Sequence, residues 1–181
     1  PSLAAFQSMS FDHYIELWET SELGQVMKNT VWLVVITSTL TVLVSFLISL
    51  VIVRSKFRYR GLLDQLAFMP HAIPGIVMGL AFLWLFLQAG KIGIDIHGGV
   101  LAMSLAFTVG FVAYGTRSMN AAILQLHKDL EEAAYVSGAD RLRTMLRVFF
   151  PLLMPTFVGV WIWAMLLAVR QAGKPLVLYE G

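Results

Sequence analysis

Four long stretches without a single Asp, Glu, Lys or Arg constrain this chain more than any other feature. They lie between Lys28 and Arg54, Asp64 and Lys91, Asp95 and Arg117, and Arg147 and Arg170. A helix needs about 20 apolar residues to cross the hydrocarbon core of a bilayer, and it satisfies its own backbone hydrogen bonds there. We therefore predict an all-α, polytopic transmembrane helical bundle with about four spans. Their approximate bounds are residues 29–53, 66–88, 97–116 and 148–169.

The composition supports lipid as the surrounding medium. Apolar residues make up 58% of the 181 residues, whereas soluble domains contain about 45–50%. One charge-free stretch is compatible with the buried helix of a large soluble core, but four in succession are not. The formal net charge of +2 is too small to indicate a nucleic-acid partner, and the lack of cysteine excludes disulfides and thiolate metal sites.

The basic residues predict which loops face the cytoplasm, because Lys and Arg collect in short cytoplasmic loops. The loop after the first span and the long loop at residues 117–147 are both rich in Lys and Arg, whereas residues 88–98 contain one Lys and one Asp. We therefore expect the first and third loops inside and the second outside. The tail would then lie outside, where Arg170 and Lys174 either line a polar path or carry little weight for topology.

The ends of the chain give two further expectations. The chain opens at Pro1 without Met and stops just after an apolar run, so residues 1–181 are predicted to be part of a membrane domain from a longer protein. Residues Phe11 to Lys28 place aromatic side chains at helical spacing, which suits a short helix at the membrane interface.

The long loop at residues 117–147 is predicted to fold as a short helix, a glycine turn and a second helix. Acidic residues in the early turns would oppose the positive end of the helix dipole. Gly138 suits the left-handed residue that ends a helix, and Asp140 suits the N-cap of the next. Ala133 and Ala134 beside Glu132 leave a low surface that fits a groove on a partner. An amphipathic helix lying on the membrane is an equal alternative.

Proline and glycine recur at the start of two predicted spans. Pro70 and Pro74 precede a G-x-x-x-G pattern at Gly75 and Gly79, which permits close approach of two helix backbones. The fourth span carries Pro151 and Pro155 at the same four-residue spacing. Proline is harmless in a first helical turn, but it also bends helices. The two explanations, a plain helix start and a flexible helix entry, stay open at this point.

One segment resembles a known signature. The sequence EAAYVSG, nine further residues and VFFP are similar to the EAA signature of binding-protein-dependent (MetI-like) ABC import permeases. The matching positions are Glu132, Ala133, Ala134, Gly138, Val148 and Pro151. Phe150 replaces the usual Leu. The segment MPHAIPGIVMGLAF resembles the branch that imports iron(III), polyamines, thiamine or phosphonates, and LEEAAYVSGAD most resembles iron(III)-type permeases. Gln171 stands where that family often has Glu, so no charged role is carried over there.

The resemblance implies a function in transport. The EAA helix would be a coupling helix seated in a cleft of separate ABC ATPase subunits. A solute-binding protein outside the cell and a second permease half would complete the importer in the bacterial inner membrane. The cargo would be iron(III) or another small polar solute. The implied coupling residues are Glu131, Glu132, Ala133, Ala134, Gly138, Ala139, Asp140 and Pro151. The predicted hinge and packing residues are Pro70, Pro74, Gly75, Gly79 and Pro155.

Two other functional classes fit the sequence less well than an importer. A secondary transporter or channel often places ionisable groups inside its spans, and the four stretches lack Asp, Glu, Lys and Arg. A membrane enzyme would need a nucleophile with a base, or a metal cluster. His71 and His97 are isolated histidines without a metal-ligand spacing. The sequence therefore predicts no catalytic residue, metal or cofactor.

Overall fold

The computed structural model describes residues 21–93 and 99–179, without the side chains of residues 21, 22, 128, 131, 141 and 173–179. All elements in these two ranges are helical, which confirms the all-α prediction. The α-helices are α1 Ser21–Arg54, α2 Arg60–Phe68, α3 Gly75–Lys91, α4 Val100–Gln125, α5 Lys128–Val136, α6 Arg141–Thr144 and α7 Phe150–Tyr179. Most of the interfacial helix predicted at Phe11 to Lys28 lies outside the described residues. His97 also lies outside them.

Helices α1, α4 and α7 form the core of the bundle. Within the described ranges, three helical stretches are long and apolar enough to cross a membrane, Leu23–Arg54, Val100–Gln125 and Leu142–Ala172. Their buried side chains form two clusters along the bundle. The larger contains Val42, Met119, Ile123, Phe149, Leu153, Phe157 and Val160, and the smaller contains Val34, Phe111, Ala164 and Ala168.

The contact between α1 and α4 is lined by small polar residues. One face of α1 presents five fully buried hydroxyl side chains, Thr37, Ser38, Thr41, Ser45 and Ser49. The Ser49 hydroxyl donates across the interface to the carbonyl oxygen of Thr116 at 3.2 Å. A Cβ added at Gly115 would overlap the Ser45 hydroxyl and lie 2.9 Å from the Ser45 Cβ. Small side chains therefore let these two helices approach more closely than larger ones would allow.

The predicted second span falls on two helices that are sharply bent. Helix α2 continues into a 3-10 turn, Met69–Ala72, and α3 begins at Gly75. The two parts, Arg60–Ala72 and Gly75–Lys91, meet at 108°. Ile73 is extended (φ −92°, ψ 128°), because the ring of a following proline disfavours the helical conformation of the preceding residue. Pro74 therefore ends one helix and starts the next. The pair is either a broken span or a re-entrant segment.

We expect replacement of Pro74 by Ala to reduce this bend. Alanine restores the backbone N–H and frees Ile73 to become helical. Spin labels on α2 and α3, measured by pulsed electron resonance in liposomes, should then show a longer and broader distance distribution than in the wild type. Pro70→Ala is the matched control, because Pro70 lies in the first residues of the 3-10 turn, where its missing N–H costs little. Identical distances in Pro74→Ala and wild type would show that tertiary packing alone sets the bend.

The bent pair is tied to α4 near the end of the bundle that carries the basic loops. Arg117 Nη1 lies 3.2 Å from Asp64 Oδ2, with side chains 49% and 29% exposed. The same guanidinium lies 4.9 Å from the centre of the Phe68 ring. Such a half-exposed ion pair contributes about 1 kcal/mol or less to stability, so it orients α2 more than it holds the fold together.

Candidate functional site

The candidate site is the connecting loop, which we define as Leu126–Phe149, between the two long helices α4 and α7. Helix α4 continues beyond the predicted span to Gln125, and Leu126 then becomes extended (ψ 114°). His127 is also extended (ψ 142°) and precedes the first turn of α5. The chain therefore leaves α4 by a corner of two extended residues before α5 begins.

A glycine turn ends α5. Gly138 has a φ of +79°, in the left-handed region that glycine enters without steric cost. Its N–H donates to the carbonyl oxygen of Tyr135 at 2.9 Å, and the N–H of Ala139 donates to that of Ala134 at 3.0 Å. These two bonds form a Schellman motif, which satisfies carbonyls at a helix end. The predicted role of Gly138 as the residue that ends the helix is confirmed.

Asp140 caps the helix that follows. Its Oδ1 accepts a hydrogen bond from the backbone N–H of Arg143 at 2.7 Å, which is the N-cap contact expected of an aspartate. Its carbonyl oxygen accepts from the Thr144 hydroxyl at 2.9 Å, and Thr144 is 2% exposed. The predicted cap is therefore present. Together with Gly138 it fixes the angle between α5 and α6 through backbone hydrogen bonds.

The exposed surface of the connecting loop combines apolar side chains with acidic ones, which include Asp129, Glu132 and Asp140. Glu132 and Ala133 are exposed and Ala134 is half-buried. Val136 is 90% exposed, and further exposed apolar side chains are Leu130, Tyr135, Leu142 and Leu146. Leu126 packs on the core, whereas Val136 does not. The side chain of Glu131 lies outside the described residues. Exposed apolar surfaces of this kind are typical of contact with another protein or with a membrane.

A π-helical segment connects the loop to α7. Met145–Phe149 is π-helical, and the N–H of Phe150 donates to the carbonyl oxygen of Met145. Pro151 follows directly, and because proline has no N–H it interrupts the regular hydrogen-bond ladder at this point. One extra residue in a turn is a common response to such an interruption. Pro155 lies further along α7 without a break in the helix. Whether either proline moves stays a prediction.

The two basic loops lie at the same end of the bundle. The Arg54 guanidinium at the end of α1 donates to the Leu126 carbonyl oxygen at 2.6 Å. Residues 54 and 126 therefore share one end of the molecule, as the distribution of Lys and Arg predicts. This contact could not be predicted from the sequence, because the acceptor is a backbone carbonyl and does not depend on the identity of the side chain.

A second candidate feature is an open cleft of about 330 Å³ between α3, α4 and α7. Gly75, Gly79 and Gly110 form part of its lining, and a Cβ at any of the three would meet no other atom within 4 Å. The G-x-x-x-G pair therefore faces the cleft and does not pack on another described helix. Tyr114 and Trp163 stack at the wall with ring centres 3.9 Å apart. His71 and Gln171 are among its polar groups.

The part of the chain that the structure describes contains no evident metal site. No three His, Cys, Asp or Glu side chains there lie close enough to hold a metal ion.

Comparison with known proteins points to transport. Residues 42–179 match the family model described as binding-protein-dependent transport system inner membrane component. A probable sulfate transport system permease protein, cysT, of Nephroselmis olivacea is 30% identical over 139 residues, which are 73% of this chain and 49% of that protein. The putrescine transport system permease protein PotI of Escherichia coli (strain K12) is 27% identical over 165 residues, 84% of this chain and 58% of that protein.

A third relative is named for a different solute. The ferric transport system permease protein FbpB of Actinobacillus pleuropneumoniae is 28% identical over 150 residues, 83% of this chain and 21% of that protein. The chain thus spans roughly half of the length of the sulfate and putrescine relatives, 49% and 58%. The three relatives carry names of three chemically different solutes.

Proposed function

Because this chain belongs to the family of binding-protein-dependent transport system inner membrane components, we propose that it forms part of the translocation path of an ABC importer and docks an ATPase through its connecting loop. The family and the apolar helices make it an integral membrane protein. Members of this family are transporter subunits and not enzymes, so the proposed ATP hydrolysis takes place in separate subunits.

One observation carries the proposal. Helix α5 is exposed, and short corners held by hydrogen bonds connect it to the two membrane-length helices on either side. Gly138 and Asp140 fix the far corner of α5. The exposed Glu132 and Ala133, with the half-buried Ala134, offer one charge on a low surface. A groove on a nucleotide-binding subunit can accept such a surface closely, and movement of the groove would be passed to α7 through α6 and the π-helical segment.

The sidedness of the loop follows the same proposal. The basic loop after α1 and the connecting loop lie at one end of the bundle, and Lys and Arg favour the cytoplasmic side. The ATPase and the connecting loop would then share the cytoplasm, and the proposed membrane is the bacterial inner membrane. A solute-binding protein would deliver the cargo from the other side, and a second permease half would complete the path.

The proposed cargo is a small polar solute. Relatives named for sulfate, putrescine and ferric transport share the same membrane unit. Iron(III) is the candidate favoured by the resemblance of LEEAAYVSGAD to iron(III)-type permeases. A single membrane scaffold that serves such different solutes is best explained if the separate binding protein supplies most of the selectivity.

The test is ATP-driven uptake by the full-length protein in proteoliposomes with its ATPase and binding protein. Glu132→Lys should reduce uptake to background, because it places a positive charge where the groove is proposed to accept a negative one. Membrane insertion and the folded fraction should not change, since Glu132 is exposed. Co-purification of the ATPase with the variant should fall in parallel.

Asp129→Lys is the matched control, because Asp129 is an exposed acid on the same helix outside the proposed contact. It should retain most of the uptake. Equal loss in both variants would mean that the net charge of the loop matters and not its contact residue. Uptake by the wild type that follows an ion gradient without ATP would favour a secondary transporter and contradict the proposal.

A further inference from the structure

The guanidinium of Arg54 contacts both ends of the connecting loop. Arg54 is the last residue of α1. Its Nη2 donates to the carbonyl oxygens of Ile123 at 3.2 Å and Leu126 at 2.6 Å. These oxygens belong to the last turn of α4 and to its C-cap, where carbonyls lack the regular i+4 partner, although the Ile123 oxygen also accepts from the Leu126 N–H at 3.3 Å. A cation at this place also opposes the negative end of the α4 dipole.

The same side chain reaches the exit of the loop. The Arg54 guanidinium carbon lies 5.0 Å from the centre of the Phe149 ring, which is within the range of a cation–π contact. Phe149 is 3% exposed and is the last residue of the π-helical segment. One half-buried side chain of the first long helix therefore contacts the residue that opens the loop and the residue that closes it.

The chemistry of these contacts is specific to arginine. A planar guanidinium donates hydrogen bonds in its plane and offers its face to an aromatic ring at the same time, and a lysine ammonium has no such face. Hydrogen bonds from a charged donor are also stronger than neutral ones. The arrangement holds the loop entry, the loop exit and α1 at fixed distances from one another.

We propose that Arg54 is a positioning residue that joins both ends of the connecting loop to the first long helix. A movement imposed on α5 then displaces α1, α4 and α7 together and is not absorbed at the corners of the loop. The inference rests on the proposed function for its consequence in transport, but the anchoring contact itself does not depend on it. In the basic loop that follows α1, the residues Lys56, Arg58 and Arg60 are exposed.

The experiment compares Arg54→Gln and Arg54→Lys with Arg58→Gln in proteoliposomes of the full transporter. Arg58→Gln removes one positive charge from the same loop, so it controls for any effect of charge on topology. The quantity measured is the number of solute molecules transported per ATP hydrolysed, together with the amount of assembled complex. We expect Arg54→Gln to assemble normally and to lower this ratio about tenfold, as the loss of a charge-assisted anchor predicts. Arg54→Lys should recover part of the ratio, and Arg58→Gln should match the wild type.

A second measurement tests the anchor without transport. The chain contains no cysteine, so Ile123→Cys introduces a single thiol at a position that is 0% exposed. Labelling by a water-soluble maleimide should be slow in this variant and several times faster when Arg54→Gln is added. An unchanged transport ratio in Arg54→Gln, or unchanged labelling, would overturn the inference. Absence of ATP-driven uptake in the wild type would instead contradict the proposed function, and labelling would still decide whether Arg54 anchors the loop.

Discussion

A full-length transporter carrying Gly138→Val should insert into the membrane normally and show no ATP-driven uptake above background. Gly138 has a φ of +79°. An L-residue there costs about 1–2 kcal/mol, and a β-branched side chain is among the least tolerated at positive φ. Valine should therefore force the turn open, break the bonds to Ala134 and Tyr135, and change the direction of α6. Uptake and ATPase co-purification are the measurements.

Gly138→Asn separates backbone geometry from side-chain volume. Asparagine adopts the left-handed conformation far more readily than valine, and there is open space around a Cβ at this position. We expect this variant to keep most of the uptake. Equal activity of Gly138→Val and wild type would show that the angle between α5 and α6 has no part in transport. Equal loss of uptake in both variants would show that the docking surface tolerates no side chain at position 138, whatever its backbone preference.

The second large effect is expected at Gly115, where α1 and α4 touch. A Cβ at this position would overlap the Ser45 hydroxyl, and both residues are at the centre of a tightly packed interface. Overpacking by one carbon costs about 1–3 kcal/mol, so Gly115→Ala should lower stability by that amount, and Gly115→Leu should prevent assembly of the bundle. The change in stability is measured by unfolding the protein in mixed detergent micelles and monitoring the loss of the helical circular dichroism signal.

A double substitution makes this prediction specific. Ser45→Gly removes the two atoms nearest to a Cβ at Gly115 and leaves only an ordinary contact of 3.5 Å with the Thr41 Cγ2. Among the described atoms the Ser45 hydroxyl is buried without a hydrogen-bond partner, so its removal breaks no such bond. Gly115→Ala combined with Ser45→Gly should recover most of the stability lost in Gly115→Ala alone. Gly110→Ala on the same helix has open space and should cost nothing. Additive losses in the double variant would contradict the proposed contact.

Local features of the sequence predicted the local features of the site. Gly138 and Asp140 are recognisable because their conformations depend on their own backbone and side-chain chemistry. The charge-free stretches predicted helices for the same reason, since lipid leaves the backbone few alternatives. These parts of the structure need no knowledge of which helix packs on which.

Features that depend on tertiary register were not predicted. Helix α4 continues to Gln125 although charged Arg117 suggested an earlier boundary, because a charge marks where lipid ends and not where a helix ends. The approach of Gly115 to Ser45 and the reach of Arg54 to the Leu126 carbonyl require the relative positions of α1 and α4. The glycines of the G-x-x-x-G pair face a cleft. The sequence pattern alone does not distinguish this position from a contact between two helices, because small residues suit both.

The bend before Pro74 leaves α3 with an unusual independence. None of the described side chains of α3 is buried, and Ile76 and Trp84 are 82% and 64% exposed. Changing the tilt of this helix therefore sacrifices little internal packing. Neighbouring helices and interfacial aromatic or basic side chains set the tilt of a membrane helix, so a helix packed against α3 from another subunit would also set the width of the cleft that α3 lines.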